Sequence, residues 1–344
     1  MAEPWAQRRL DFQRAWPLTE GAGVTVAVVD TGVSGQQPFL RGAVLRGVDV
    51  KNSGGGPANT DCDGHGTFIA GLIAGRAVSP MAFAGVAPAA TILPIRQANT
   101  QTDGTAKTLA DGIMAAVRRH AQVINVSIVT QDPAPVLLHA VNVALAHNVV
   151  VVAAVGNDFS SGNLPMYPAA WPGVLAVAAV DENSQRASFS ESGSYVGVSA
   201  PGVHLTGPGR VTGLIGWGGT SFAAAFVSGT AALVRSYYPR LTAAQVIRRI
   251  EATADPAPGP RPSAEFGWGI VDPYGAVTAV LPPGPAGPSQ GQTSVPVPPR
   301  PAPASGKTRV AIGVGIGGSA LAVGILLAAD LVRRGRRRGW RPGV

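Results

Sequence analysis

The stretch "QVINVSIVTQDPAPVLLHAVNVALAHNVVVVAAVGN", residues 122–157, contains two apolar runs with a helical pattern between them. The runs at 122–129 and 148–157 are predominantly apolar, which is typical of strands buried on both faces of a parallel sheet. Residues 134–147 place apolar side chains at helical spacing. Because parallel neighbours need a long crossover, usually a helix, this stretch predicts a strand–helix–strand unit.

The same alternation of apolar runs and helical patterns extends from residue 24 to residue 280. Further strand-like runs lie at 24–30, 90–96 and 173–180, and further helical patterns lie at 106–120 and 242–253. Thr242 precedes the last pattern and is a typical helix N-cap residue. The alternation predicts an α/β fold with helices on both faces of a mostly parallel sheet.

Four polar side chains stand where these strands end or helices begin. Asp30 and Asn157 each end an apolar run, whereas His65 and Ser221 each open a helical pattern rich in small residues. Each has a structural alternative, since the acid and the serine are common caps, the amide is a common turn residue and a lone histidine is often structural. Taken singly, the motifs leave both interpretations open.

Together, the four residue types match a nucleophilic hydrolase site. A serine hydroxyl needs a base to take its proton, and a carboxylate fixes the tautomer of that base and stabilises its charged form. The free N–H groups of a helix start and a side-chain amide can both donate to a developing oxyanion. The order Asp30, His65, Ser221 along the chain is one of three known orders for such a triad.

The C-terminal part of the chain changes character. Residues 281–309 form a linker, in which the stretch 281–306 contains nine prolines and is expected to be largely polyproline II. Residues 310–332 are apolar except for a serine and an aspartate, and are long enough to predict one transmembrane helix. Residues 333–344 form a tail with six arginines, which predicts a single-pass cell-membrane protein with a cytoplasmic C-terminus and an extracytoplasmic main domain.

Charge outside the tail excludes one class of function. The chain carries a formal net charge of +8, from 27 Lys and Arg against 19 Asp and Glu. Without the six tail arginines the balance is 21 against 19, so the main domain is close to neutral. We therefore expect no nucleic-acid partner for the main domain.

Four sequence blocks resemble the signature blocks of the subtilisin-like serine proteases, the peptidase S8 family. They are "VAVVDTGV" (26–33), "DGHGTFIAG" (63–71), "VVAAVGND" (151–158) and "GTSFAAAFVSG" (219–229). The resemblance implies a subtilisin-like three-layer αβα sandwich over residues 21–280 that acts on protein or peptide substrates. It implies no cofactor, and we predict no metal site.

The same resemblance assigns roles to individual residues. It makes Asp30 the orienting acid, His65 the general base and acid, and Ser221 the nucleophile. Asn157 becomes the oxyanion donor. The "VINVSI" run (123–128) resembles the substrate-binding strand of the family, which places Ser127 and the following Ile128 beside the bound peptide, paired with it in β fashion.

A narrower resemblance is to the mycosins, the membrane-anchored subtilases of actinobacterial type VII secretion systems. It rests on the opening of the chain, the block "DCDGHGT" (61–67), the proline-rich linker and the single span followed by basic residues. It implies that residues 1–20 are an extension packed on the catalytic domain, and that type VII secretion channel subunits are partners. A structural component with secondary or silent peptidase activity and a generic tethered quality-control protease are alternatives.

Three features depart from the family pattern. Ala225 stands where the helix after the serine usually carries a proline, and Cys62, the single cysteine, has no partner for the disulfide that mycosins commonly form. Residues 1–20 carry no apolar run, so no secretory signal is visible, and we expect one to have been removed or encoded upstream. Asp49, Asp61 and Asp63 are interpreted as solvated or structural acids.

Overall fold

A seven-stranded sheet forms the centre of the fold in the computed structural model, which describes residues 3–52 and 56–282. Its strands are β1 (Thr25–Asp30), β2 (Val48–Asp49), β3 (Thr91–Arg96), β4 (Val123–Val126), β5 (Val150–Ala154), β6 (Leu175–Val180) and β7 (Val196–Pro201). They lie in the order β2-β3-β1-β4-β5-β6-β7, and every neighbouring pair is parallel. The predicted parallel sheet is confirmed.

Helices cover both faces of this sheet. They are α1 (Trp5–Leu10), α2 (His65–Ala74), α3 (Ala106–Arg118), α4 (Pro135–Ala146), α5 (Thr220–Tyr237), α6 (Ala243–Thr253) and α7 (Pro273–Thr278). Along β1, Ala27 and Val29 belong to the core that α3 and α4 cover, whereas Val26 and Val28 belong to the core under α2, α5 and α6. The period-two alternation of a strand thus produces the predicted three layers.

The stretch 122–157 folds as the predicted strand–helix–strand unit, with shorter strands than its apolar runs. The chain leaves the sheet after Val126 and again after Ala154, although the following residues are also buried. Residues buried in loops carry the same apolar signal as a strand, so composition alone overestimates strand length.

Helix α5 is buried from Thr220 to Arg235, which explains its small and apolar residues on every side. Its N-cap is Gly219, and Ser221 is the second helical residue. The expectation that the helix begins at Ser221 is therefore wrong by one residue. The helix continues unbroken through Ala225, as expected for alanine in place of proline.

The N-terminal residues pack against the rest of the domain. The Trp5 indole donates a hydrogen bond to the Val203 carbonyl at 3.1 Å, and the Trp16 indole donates to the Val86 carbonyl at 3.0 Å. Phe12, which lies between these two tryptophans in the sequence, is fully buried. A two-stranded antiparallel hairpin, β8 (Leu205–Pro208) and β9 (Leu214–Trp217), lies outside the main sheet and is not predicted from the sequence.

No helix within residues 3–52 and 56–282 is long and apolar enough to cross a membrane. The predicted span 310–332 and the basic tail 333–344 lie outside the described residues, as does the linker from residue 283.

Candidate active site

The carboxyl ends of the central strands and two helix starts bring the predicted site residues to one edge of the sheet. Asp30 is the last residue of β1, and Asn157 follows β5 by three residues. His65 is the first residue of α2, and Ser221 is the second residue of α5. This edge of an open parallel sheet is where ligands generally bind.

Asp30 and His65 form a buried, hydrogen-bonded pair. The Nδ1 atom of His65 lies 2.8 Å from Oδ1 of Asp30, and the two residues are 1% and 0% exposed. Burial is the largest influence on the His65 pKa and lowers it, but the charges of nearby Asp30, Asp63 and Asp61, with the Asp30 hydrogen bond, raise that pKa above its ordinary value. The pair therefore holds the imidazole with Nδ1 towards the acid and Nε2 free for proton transfer.

The Ser221 hydroxyl is hydrogen-bonded to Ser127 and not to His65. It donates to the carbonyl of Ser127 at 3.2 Å, and within the described residues it makes no hydrogen bond with His65. Such bonds are often long or misaligned without substrate. The ring centroids of Trp217 and Phe222 lie 5.7 and 5.2 Å from that of His65, so aromatic surface packs around this histidine.

Asn157 is exposed and its amide orientation is fixed. Its Oδ1 accepts hydrogen bonds from the backbone N–H of Thr220 at 2.9 Å and from the Thr220 hydroxyl at 3.0 Å. The oxygen is thus occupied, which leaves Nδ2 as the amide group that can donate to a substrate. The backbone N–H of Ser221 has no acceptor among the described residues, so two donors are available at this helix start.

Ser127 ties the end of β4 to α5. Its hydroxyl accepts from Nδ2 of Asn125 at 2.7 Å and donates to the Ser221 carbonyl at 3.3 Å, while Oδ1 of Asn125 accepts from the Ser228 hydroxyl at 2.8 Å. Ile128 is 7% exposed. Sequence reasoning missed Asn125 and Ser228, although a polar residue inside a buried apolar run is a usable signal.

Glu191 is a third residue that sequence reasoning missed, and no sequence pattern marks it. It is fully buried, and neither carboxyl oxygen has a hydrogen-bond partner among the described residues. Gly156, which directly precedes Asn157, has a φ of +108°. A Cβ added at this glycine would lie only 2.6 Å from Oε2 of Glu191, so the carboxyl packs directly against the backbone here. Burial, followed by the charge of Asp158, raises the pKa of Glu191 to about 7.

The remaining predicted residues are also located. Cys62 is exposed and free. Asp49 and Asp61 are buried and hydrogen-bonded, whereas Asp63 is half-buried before His65. Within residues 3–52 and 56–282, no group of three or more His, Cys, Asp or Glu side chains is arranged to hold a metal ion.

Comparisons with known proteins identify the family of this chain. The model of the subtilase family, peptidase S8, matches residues 21–269. Mycosin-1 of Mycolicibacterium smegmatis is 36% identical over 82% of this chain and 74% of its own length, and thermitase of Thermoactinomyces vulgaris is 35% identical over 79% and 95%. The crystal structure of MycP1 from Mycobacterium smegmatis superposes with a TM-score of 0.74 at 35% identity, over 83% of this chain and 86% of that one. The chain belongs to the subtilase family of serine proteases and, within it, to the mycosins.

Proposed function

We propose that this chain is a membrane-anchored serine endopeptidase whose triad is Asp30, His65 and Ser221, and that it acts in type VII secretion. The observation that carries the catalytic part is the buried 2.8 Å pair of Asp30 and His65 near the start of α5, where Phe222, the residue after Ser221, packs with its ring 5.2 Å from the His65 ring. Burial of a carboxylate and an imidazole is costly unless they bond to each other, and that bond sets the tautomer that general-base catalysis needs.

The proposed reaction follows from the positions of these groups. Ser221 turns its hydroxyl from the Ser127 carbonyl to Nε2 of His65, loses its proton there and attacks the substrate carbonyl carbon. Nδ2 of Asn157 and the backbone N–H of Ser221 donate to the resulting oxyanion. His65 then gives its proton to the leaving amine, and water hydrolyses the acyl-enzyme by the same steps.

The backbone beyond β4 supports binding of an extended peptide. The ladder of β4 ends at Val126, and Ser127 and Ile128 follow it without a strand partner among the described residues. We propose that a substrate peptide pairs with this segment, which places its carbonyl between Ser221 and Asn157. Main-chain hydrogen bonds to an unpaired segment give affinity with little dependence on side chains.

The catalytic proposal is tested with a Ser221→Ala variant and a fluorophosphonate probe. Wild type is expected to be labelled at Ser221 and to hydrolyse a denatured protein substrate, and the variant is expected to do neither, with a loss on the order of 10⁴–10⁶ in rate. Ser236→Ala, near the other end of the same helix, is the matched control and keeps both signals. Turnover by Ser221→Ala close to that of wild type would refute the triad.

The secretion role is proposed from the relatives. The solved relatives include MycP1, described as an essential component of the ESX-1 type VII secretion system, and MycP3 from the ESX-3 system. We propose that channel subunits of such a system are the partners of this chain. Copurification of the tagged membrane protein with these subunits tests this, and recovery of the tagged protein without them counts against it.

The single cysteine offers a test of the proposed membrane topology. Cys62 is exposed, and no other cysteine is present in the chain. A membrane-impermeant maleimide is expected to label Cys62 in intact cells, and Cys62→Ser is the control. A Gly343→Cys substitution in the Cys62→Ser background is expected to react only after permeabilisation. The opposite pattern would overturn the orientation.

A further inference from the structure

Asp61 is a buried carboxylate, 5% exposed, in the loop before α2. Each of its two carboxyl oxygens accepts two hydrogen bonds. Oδ1 accepts from the Thr31 hydroxyl and the Gly64 N–H, both at 2.9 Å, and Oδ2 accepts from the Thr67 N–H at 2.8 Å and the Thr67 hydroxyl at 2.6 Å. One side chain thus joins the residue after Asp30 to the residues on either side of His65.

Thr31 shows how this connection reaches the acid. Its backbone N–H donates to Oδ1 of Asp30 at 2.8 Å, and its hydroxyl accepts from the Gly66 N–H at 3.1 Å. The Thr31 hydroxyl has one proton to donate. Its oxygen lies 2.9 Å from Asp61 and 3.3 Å from Asp30, so the shorter hydrogen bond goes to Asp61. Asp61 therefore sets the direction in which Thr31 donates and accepts.

The start of α2 depends on the same carboxylate. The N-cap is Gly64, which has no side chain, so residues of the preceding loop must satisfy the first N–H groups of the helix. Asp61 accepts from two of the N–H groups at this start, those of Gly64 and Thr67. Its negative charge also lies at the positive end of the helix dipole, where it is stabilised.

Close packing leaves this region little freedom to adjust. A Cβ on Gly66 would overlap the Gly32 carbonyl and would lie 3.2 Å from Oδ1 of Asp30. The helix start and the strand end are therefore in backbone contact, and their hydrogen bonds decide their relative position. A shift of about 1 Å at such a contact can cost on the order of 100-fold in rate.

We infer that Asp61 is a positioning residue, which holds the start of α2 against the end of β1 so that His65 keeps its hydrogen bond to Asp30 during proton transfer. The inference rests on the proposed function, because it gives Asp61 a part in the same reaction without contact to substrate. Asp61 lies near His65, and its charge is among those that raise the pKa of that histidine.

Asp61→Asn tests the inference with an isosteric change. An amide nitrogen cannot accept, so whichever way the side chain turns, one backbone N–H and one threonine hydroxyl lose the oxygen to which they donate, and the charge is removed as well. We expect kcat to fall by about 10- to 100-fold with KM changed by less than about twofold. The acidic limb of the pH profile is expected to move to lower pH, because the His65 pKa falls when a nearby negative charge is lost.

Asp49→Asn is the matched control for a purely structural effect. Asp49 is also buried and bonds to Arg96 at 2.7 Å and to the Asn52 side chain at 2.9 Å, but none of its hydrogen bonds reaches α2. It is expected to lower the unfolding temperature while kcat stays within about threefold of wild type. Equal losses of kcat in the two variants would overturn the inference.

A readout without turnover separates this inference from the proposed function. In the whole chain carrying Ser221→Ala, labelled with ¹⁵N-histidine, the Nδ1 proton of His65 is expected to give a downfield NMR signal that shifts or broadens in Asp61→Asn and not in Asp49→Asn. An unchanged signal would overturn the inference even if peptides are hydrolysed. If Asp61→Asn does not fold, Thr31→Val removes the connecting hydroxyl but keeps the Asp61 charge. It is expected to give the same fall in kcat and the same change in the Nδ1 signal, and their absence there would also overturn the inference.

Discussion

Replacing Glu191 with glutamine is expected to change how the stability of the fold depends on pH. The carboxyl is fully buried, and burial, with the charge of Asp158, raises its pKa from 4.5 to about 7. The folded state therefore binds this proton more strongly than the unfolded chain does. Its contribution to stability is fully present below the unfolded pKa and is lost as the pH rises through about 7.

The magnitude follows from the size of the shift. One pKa unit corresponds to about 1.4 kcal/mol, so the full rise corresponds to about 3 kcal/mol. Relaxation and water entry around the ionised carboxylate reduce this cost, and we expect about 2 kcal/mol between pH 4.5 and pH 8.5. Glutamine keeps the shape of the side chain and has no proton to lose in this range, so the Glu191→Gln protein lacks this loss.

The assay is urea unfolding of the whole chain in a non-ionic detergent, in a Ser221→Ala background that prevents self-digestion. The free energy of unfolding of Glu191→Gln relative to its parent is expected to increase from pH 4.5 to about pH 7, where the folded carboxyl ionises, and to level off by pH 8.5. Burial also raises the pKa of Glu251 to about 7, but this residue is present in both proteins, so its contribution cancels in the difference. Glu182→Gln, which removes an exposed carboxylate, is the control. A difference that is constant with pH would refute the reasoning.

Three further changes have expected outcomes. Asn157→Ala is expected to lower kcat by about 10²–10³ with little change in KM, as measured on a peptide substrate, because it removes one of the two proposed oxyanion donors. Phe226→Ala, at a position 2% exposed in the core, is expected to lower the free energy of unfolding by about 3–5 kcal/mol in urea, and a loss below 1 kcal/mol would contradict its place there. The kcat/KM of wild type is expected to fall on acidification with a midpoint above 6.5, because only the neutral His65 ring accepts a proton. Burial lowers the His65 pKa, but the surrounding carboxylates raise it by more, so the net shift is upward from 6.5.

The sequence predicts those parts of the fold that a local pattern determines. The strand–helix–strand unit at 122–157 follows from periodicity, and the Thr242 cap of α6 follows from residue type, with Thr242 and Gln245 each bonding the backbone of the other. The meeting of Asp30 with His65 also follows from placing one at a strand end and the other at a helix start on the same edge of a parallel sheet. No local pattern predicts the hairpin of β8 and β9, which is short, glycine-containing and partly exposed.

The supporting contacts of the site could not be predicted because they join residues distant in sequence. Asp61 bonds Thr31 across thirty positions, and Ser127 bonds Ser221 across ninety-four. The sequence indicates Asp61 only as an acid of structural or solvated character. Its burial and its four hydrogen bonds depend on how α2 packs against β1, which is set by the whole core.

The burial of α5 has a consequence for how activity and folding are related. Ser221, the proposed nucleophile, lies on the first turn of a helix that is buried for sixteen consecutive residues, so this turn cannot open without disturbing the core. Mobile active-site loops can melt locally at low cost, whereas a core helix exchanges its amides only with global opening. Thermal inactivation and loss of tertiary structure are therefore expected to coincide in this protein, so residual activity would report on the cooperative unit as a whole.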